Sequence, residues 1–381
     1  MKILHVTPHL PPDQAANALL PWQLGNWSHE AGERVSYVAH PPRAGGATPL
    51  PGPVRWVARR TDTGLVRLTG LGALTSAARI ARALSEPIRD ADVVHVHSNG
   101  LLAELSVLMA RRRGKPVVLT LYGTEIWHYA PKRPGPDLFT RAYHDASVVT
   151  FYSDRLRAKA VELGLARRQM HTIYPTIGRA FRFHDDADQL EARHRLGIQN
   201  RHLLLNVKRL HPLAGQRFML EALGEVVRVH PDTRLVICGT GPLHAELVTF
   251  ARAAGVERHV TFAGLVDNTT VARYCAAADF FLLPSILEAL PTVAVEALAS
   301  GTPVISSDNP GGVELHEVFG PDVTIVPREN ALALASAIDY SLEHKQRTSP
   351  RTQEVLEREF GQESVAARYR AVYDEATGAG Q

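Results

Sequence analysis

An α/β fold of two doubly wound domains, each a parallel sheet with helices on both faces, follows from three observations. The chain has 381 residues, more than one ordinary core holds, and fits two domains of about 150 to 200 residues. Phe280 to Leu283 is apolar throughout, as a parallel strand buried on both faces must be, and a loop, a short helix and another strand follow it up to Ser307. The N-terminus repeats that order: a strand Lys2 to Thr7, a helix Ala16 to Ala31 ending near Gly32, and a strand Arg34 to Ala39. Two such domains imply a cleft.

The stretch Ala278 to Ser307 carries the chemistry. Pro284 and Ser285 stop the strand, Pro291 stands where a first helical residue is favoured, and Gly301 with Pro303 ends the helix. Glu288 falls in the loop and Glu296 on the helix, with the backbone N–H groups of Ala289, Leu290 and Thr292 at the helix entrance between them. Spare N–H donors at a helix start attract phosphate, and a nearby carboxylate accepts hydrogen bonds from sugar hydroxyls, so the pattern suits a sugar nucleotide. The plainer alternative makes Glu288 a loop or capping residue and Glu296 a solvated helix residue.

Pro284, Ser285, Glu288, Pro291, Glu296, Ala297, Gly301, Pro303 and Val304 resemble, in order and spacing, the Glu-x7-Glu signature of glycosyltransferase family 4. The resemblance implies the GT-B arrangement of two Rossmann-like domains facing across a cleft. It also implies transfer with retention of anomeric configuration and no metal or other cofactor beside the nucleotide diphosphate sugar. In that family the first Glu lies by the donor sugar and the second holds the nucleotide ribose, roles that pass to Glu288 and Glu296.

Composition narrows the partners. A net charge of +3 with scattered arginines gives nucleic acid binding little support. No apolar segment approaches the roughly 20 residues that span a bilayer, and MKILHVTPHLPP does not read as a signal peptide. Cys238 and Cys275, each in an apolar context, read as buried free thiols of a reducing compartment. The expectation is a cytoplasmic protein, at the inner face of the membrane if its acceptor is lipid-linked.

In the first domain, expected over residues 1–178, the loop after the first strand holds Ala15 and Ala16, where the family has Gly-Gly beside the acceptor or a phosphate. His40 to Arg60, rich in Pro and Gly, reads as a surface connection. Leu65 to Leu84 reads as a helix with an apolar stripe of Leu68, Leu71, Leu74, Ala78 and Ala81, and with Arg67, Arg79 and Arg82 off it. It either packs on the sheet or, as a basic amphipathic helix, docks peripherally on a membrane. His95 and His97 fall on one face of the strand from Ala91 to His97 and read as polar groups near its C-terminal end rather than metal ligands. After the strand Lys115 to Thr120, Tyr122 stands where the family often has a His that reaches the donor sugar, which makes it a site residue. Val148 to Ser153 is expected to close this sheet.

The second domain is expected over residues 179–359. Asp186 and Asp188 read as solvated surface. The strand His202 to Val207 leads into Lys208, Arg209 and Leu210, which resemble the family's Gly-Arg-Leu-x-x-x-Lys-Gly; Arg209 and Gly215 match, and Ala214 replaces the Lys. The resemblance assigns Arg209 to the departing diphosphate, and the compensating cation is expected to be Lys208, beside it, or Arg217. The turn with Gly239 and Gly241 lies beside the donor by the same resemblance, backbone near Leu265 meets the base, and Asp308 to Gly312 forms a Gly-Gly turn. A last helix, Thr352 to Ala376, with the stripe Phe360, Val365, Tyr369, Val372 and Tyr373, returns to the first domain over residues 360–376.

The reading is a retaining, metal-independent glycosyltransferase that moves a sugar from a UDP- or GDP-linked donor to a hydroxyl of a glycan, lipid-linked glycan or small metabolite. Ala15, Ala16, Tyr122 and Ala214 motivate two alternatives: a pseudo-glycosyltransferase or phosphorylase-like enzyme on the same fold, or a non-catalytic nucleotide-sugar-binding protein.

Overall fold

The computed structural model describes residues 1–13, 16–43, 48–59, 71–130 and 137–379. The chain divides into two units, Met1–Pro175 with Glu363–Gln381 and Thr176–Gln362.

The first unit holds a seven-stranded parallel sheet: β1 Lys2–Thr7, β2 Arg34–Ala39, β3 Val54–Trp56, β4 Val93–His97, β5 Val117–Leu121, β6 Val148–Phe151 and β7 Met170–Thr172, in the order β3-β2-β1-β4-β5-β6-β7. The second holds six: β8 His202–Val207, β9 Thr233–Cys238, β10 Val260–Gly264, β11 Phe280–Leu283, β12 Val304–Ser307 and β13 Val323–Val326, in the order β10-β9-β8-β11-β12-β13. Both sheets are parallel throughout, with order reversing beside β1 and beside β8, where α/β folds bind ligands at the C-terminal edge.

The continuous apolar runs are legible because both faces of these strands are covered. β11 is buried at every position, and Phe281 is fully enclosed. Removing a side chain of that size from water contributes roughly 1.5–3 kcal/mol. Cys238 and Cys275 are buried and free, and burial pushes the Cys238 thiol up to about 12.

Several sequence expectations change. The supposed connection from His40 contains β3, which pairs with β2 (Tyr37 opposite Val54), and β7 rather than β6 forms the far edge. The helix expected from Leu65 is described from Leu71 to Asp90; residues 65–70 lie outside the described residues. Its packed face is Ser76, Ile80, Leu84 and Ile88, one residue per turn, while Leu74 is 69% exposed. An apolar count favoured the wrong face because small and apolar residues lie on both. Asp186 and Asp188 sit in the exposed first turn of the helix Asp186–Arg195, capped by the Asp185 side chain.

The last helix is not continuous. Pro350–Val355 is followed by a wide turn, Leu356–Phe360, and Gly361 breaks the path before Gln362–Thr377. Phe360 stacks on Phe319 at 5.5 Å. Beyond the break, Val365, Tyr369, Val372 and Tyr373 join Ile3, Leu20, Leu24, Val93 and Val118 in one buried cluster on the first sheet.

Candidate active site

The C-terminal edge of the second sheet is assembled from four loops bound to one another through backbone hydrogen bonds. Lys208 N–H donates to Cys238 O (2.9 Å), Leu210 N–H to Thr240 O (3.0 Å), Gly239 N–H to Gly264 O (2.7 Å) and Ile286 N–H to Leu213 O (2.8 Å). Such close approach requires glycine, as at Gly239 and Gly215. Gly239 has φ +140 and a Cβ there would lie 2.1 Å from Lys208 O; Gly215 has φ +69 and a Cβ would lie 2.0 Å from Pro284 O. Arg209 is exposed and its carbonyl accepts from the Gln216 side chain at 3.2 Å.

Lys208 Nζ forms an ion pair with Glu288 Oε1, both side chains partly buried. Glu288 is held from behind, because Gly311 N–H donates to its carbonyl at 3.0 Å. Pro291 is the N-cap rather than the first helical residue, so the helix Thr292–Ala299 starts without any side-chain cap on its N–H groups. Ala289 and Leu290 lie half-buried before it. Glu296, one face further along, has its carboxyl pushed up to about 7 by burial. Gly241 sits in the turn next to Leu210, and Leu265 follows the end of β10 with its side chain 74% exposed. Ala214, at the position of the family's Lys, is buried.

Asp308 to Gly312 is not a turn: Gly311 and Gly312 open the helix Pro310–Phe319. Its cap, Asn309, is fully buried and was missed by sequence reasoning. It accepts from Gly312 N–H at 3.0 Å and donates to Ser285 O at 3.2 Å, which ties the loop after β11 to the end of β12.

Of the expected residues, Lys208, Arg209, Gly239, Gly241, Leu265, Glu288, Ala289, Leu290, Thr292 and Glu296 share this unit. Tyr122 belongs to the first unit, Ala16 opens its helix Ala16–Glu30, and Ala15 lies outside the described residues. Tyr122 turns inward: its hydroxyl is 2.7 Å from His97 Nδ1 and its ring packs on Tyr152 at 4.5 Å. Burial holds its pKa well above the ordinary phenol value, so it keeps its proton.

His5, His95 and His97 form a buried cluster whose ligand atoms lie within 4.8 Å of one another. His5 joins the pair because parallel pairing sets it directly opposite His95. The rings of His95 and His97 stack at 4.0 Å. The cluster is hydrogen-bonded: His5 Nδ1 to His97 Nε2 at 3.1 Å, His95 Nδ1 to the Tyr373 hydroxyl at 2.8 Å and His95 Nε2 to Thr120 Oγ1 at 2.7 Å. Burial lowers all three pKa values, that of His5 to about 3, so the rings are neutral.

Two family models cover most of the chain: glycosyltransferase family 4 over residues 22–179 and glycosyl transferases group 1 over residues 188–355. The chain is 30% identical over 300 residues to a putative teichuronic acid biosynthesis glycosyltransferase of Bacillus subtilis, covering 77% of this chain and 72% of that one. The chain belongs to glycosyltransferase family 4. The chain is also similar to the GDP-mannose-dependent α-(1-6)-phosphatidylinositol monomannoside mannosyltransferase of Mycolicibacterium smegmatis, 29% identical over 69% of this chain and 70% of that one. Among solved structures, Anabaena HepE in complex with UDP superposes with a TM-score of 0.75 over 98% of this chain and 99% of that one at 19% identity, which places the fold in the GT-B type. As a family 4 member the protein is a glycosyltransferase, and no helix among the described residues is long and apolar enough to cross a membrane.

Proposed function

We propose that the protein transfers a sugar from a uridine or guanosine diphosphate sugar to an acceptor hydroxyl, with retention and without a metal. The observation that carries this reading is the Lys208–Glu288 ion pair beside Arg209, at the edge where an uncapped helix begins. Arg209, Lys208 and the N–H groups of Ala289, Leu290 and Thr292 supply positive potential where a leaving diphosphate gathers charge. Glu288, oriented by Lys208, accepts from donor-sugar hydroxyls, and Glu296 takes the ribose hydroxyls. The acceptor oxygen bonds to the anomeric carbon on the face from which the diphosphate departs. The acceptor's proton passes to the diphosphate oxygen as the old C–O bond breaks.

The relative named for GDP-mannose and the neighbour solved with UDP support both nucleotides as candidates. The relative named for a phosphatidylinositol mannoside supports a lipid-linked acceptor, and with it a cytoplasmic protein working at the inner membrane face. The test is calorimetric titration with UDP, GDP and their sugars, followed by anomeric analysis of the product formed with and without a chelator. Selective binding lost in Glu296→Ala, and an axial product from an axial donor in the presence of chelator, support the reading. Inversion, or activity abolished by the chelator, overturns it.

A further inference from the structure

The end of β4 and the turn after β5 are joined by two contacts, from the consecutive residues His97 and Ser98 to Tyr122 and Glu125. His97 meets the Tyr122 hydroxyl at 2.7 Å, and Ser98 Oγ donates to Glu125 Oε1 at 2.6 Å. The other oxygen of Glu125 turns back on its own turn and accepts from Gly123 N–H at 2.8 Å and Tyr122 N–H at 3.3 Å. Glu125 is 4% exposed and forms no ion pair among the described residues, so these donors alone stabilise a buried carboxyl group.

The backbone held in this way is not in a relaxed conformation. Ser98 has φ 70, uncommon for a residue with a side chain, and Gly123 has φ 153. A non-glycine residue in the left-handed region persists only where its surroundings fix it. Ser98 is fixed at both ends, its N–H donating to Thr120 O at 2.8 Å and its hydroxyl to Glu125. Both turns stand at the C-terminal edge of the first sheet beside its switch point, where α/β folds place ligands.

The geometry points to Glu125 as a positioning residue for sugar transfer: its carboxyl group clasps the Tyr122–Gly123 turn to Ser98 and fixes the C-terminal rim of the first sheet beside its switch point. This rests on the transferase reading above. It does not require Glu125 to touch substrate. Its effect falls on kcat, through the geometry of that rim, and not on nucleotide affinity.

The experiment compares wild type with Glu125→Ala, Glu125→Gln and Ser98→Ala, measuring kcat, donor KM, Kd for the nucleoside diphosphate, and amide hydrogen exchange at Tyr122 and Gly123. Glu125→Ala should speed exchange at both amides and lower kcat roughly ten- to hundredfold, with the nucleotide Kd unchanged. Glu125→Gln, which keeps an acceptor oxygen, should recover part of the rate. A folded Glu125→Ala with unchanged exchange, or with unchanged kcat, overturns the inference. Should Glu125→Ala not fold, Ser98→Ala decides: a smaller loss of kcat at constant Kd supports the clasp, and none overturns it. A wild-type protein that binds no nucleotide would be a failure of the transferase reading instead, while amide exchange would still report on the clasp.

Discussion

Lys208 and Glu288, which are remote in sequence, meet in an ion pair at the C-terminal edge of the second sheet, one from the loop after β8 and the other from the loop after β11. The pair brings a cation to the side of Arg209 although Ala214 is buried and uncharged. It also orients Glu288, whose backbone is already fixed by Gly311.

Removing Lys208 should therefore act on the chemical step. In the proposed transfer, Lys208→Ala takes a positive charge from the departing diphosphate and frees the Glu288 side chain, and the expected loss in kcat is roughly 10²-fold, about 2.7 kcal/mol. Donor KM should change far less. Steady-state kinetics with donor varied separate the two, and a raised donor KM with kcat unchanged would mean Lys208 contributes only uniform binding.

The His95–Tyr373 contact predicts a stability effect. Tyr373→Phe keeps the ring, which is 2% exposed, and deletes the hydroxyl 2.8 Å from His95 Nδ1. A buried imidazole nitrogen left without its partner costs roughly 1–3 kcal/mol. Urea unfolding should show that loss in the first unit, and an unchanged midpoint would mean the hydroxyl is not needed there.

These residues also show how far the sequence could be read. The strands were legible because a parallel strand covered on both faces is an unbroken apolar run, as at Phe280 to Leu283. The period of two placed His95 and His97 on one face, but His5 joins them only through the pairing of β1 with β4, which local spacing does not contain. The helix Leu71–Asp90 was assigned the wrong face because Ser76 belongs to the packed stripe and exposed Leu74 does not. In the second unit, the Glu288 and Glu296 signature announced both residues, yet the partner of Glu288 came from a different loop. Glu125 and Asn309 gave no signal of their own, since their role depends on which backbone donors a folded turn presents.

Acid should destabilise the first unit through its histidines. The folded-state pKa of His5 is lowered to about 3, and those of His95 and His97 well below 6.5, in each case first by burial. In the unfolded chain they titrate near the ordinary value. The neutral rings' contribution is therefore fully present above that value, and it is lost as pH falls from about 6.5 toward the folded pKa. The limiting slope is about 1.4 kcal/mol per pH unit for each ring. Thermal unfolding at a series of pH values between neutrality and mild acid should show the loss, and replacing His5 by Phe should make it shallower. A flat profile would mean that the rings take up protons in the fold as they do in the unfolded chain.

Glu296 predicts a pH dependence of nucleotide binding from the same physical cause, with the pKa moved the other way. Burial raises its folded pKa to about 7, so the group is largely protonated in mild acid and charged in mild base. Only the charged form offers both oxygens as acceptors to a ribose diol, and hydrogen bonds to a charged acceptor are roughly twice as strong as neutral ones. Affinity for the nucleoside diphosphate should therefore rise as pH passes upward through about 7 and level off above it. Below that point Kd should weaken, by at most about tenfold per pH unit if only the charged form binds. Glu296→Gln, which cannot ionise, should bind more weakly in mild base and show no inflection near neutrality. Calorimetric titration of both proteins across that range is the check, and an inflection that survives in Glu296→Gln would place the titrating group elsewhere, the nucleotide's terminal phosphate being the first candidate.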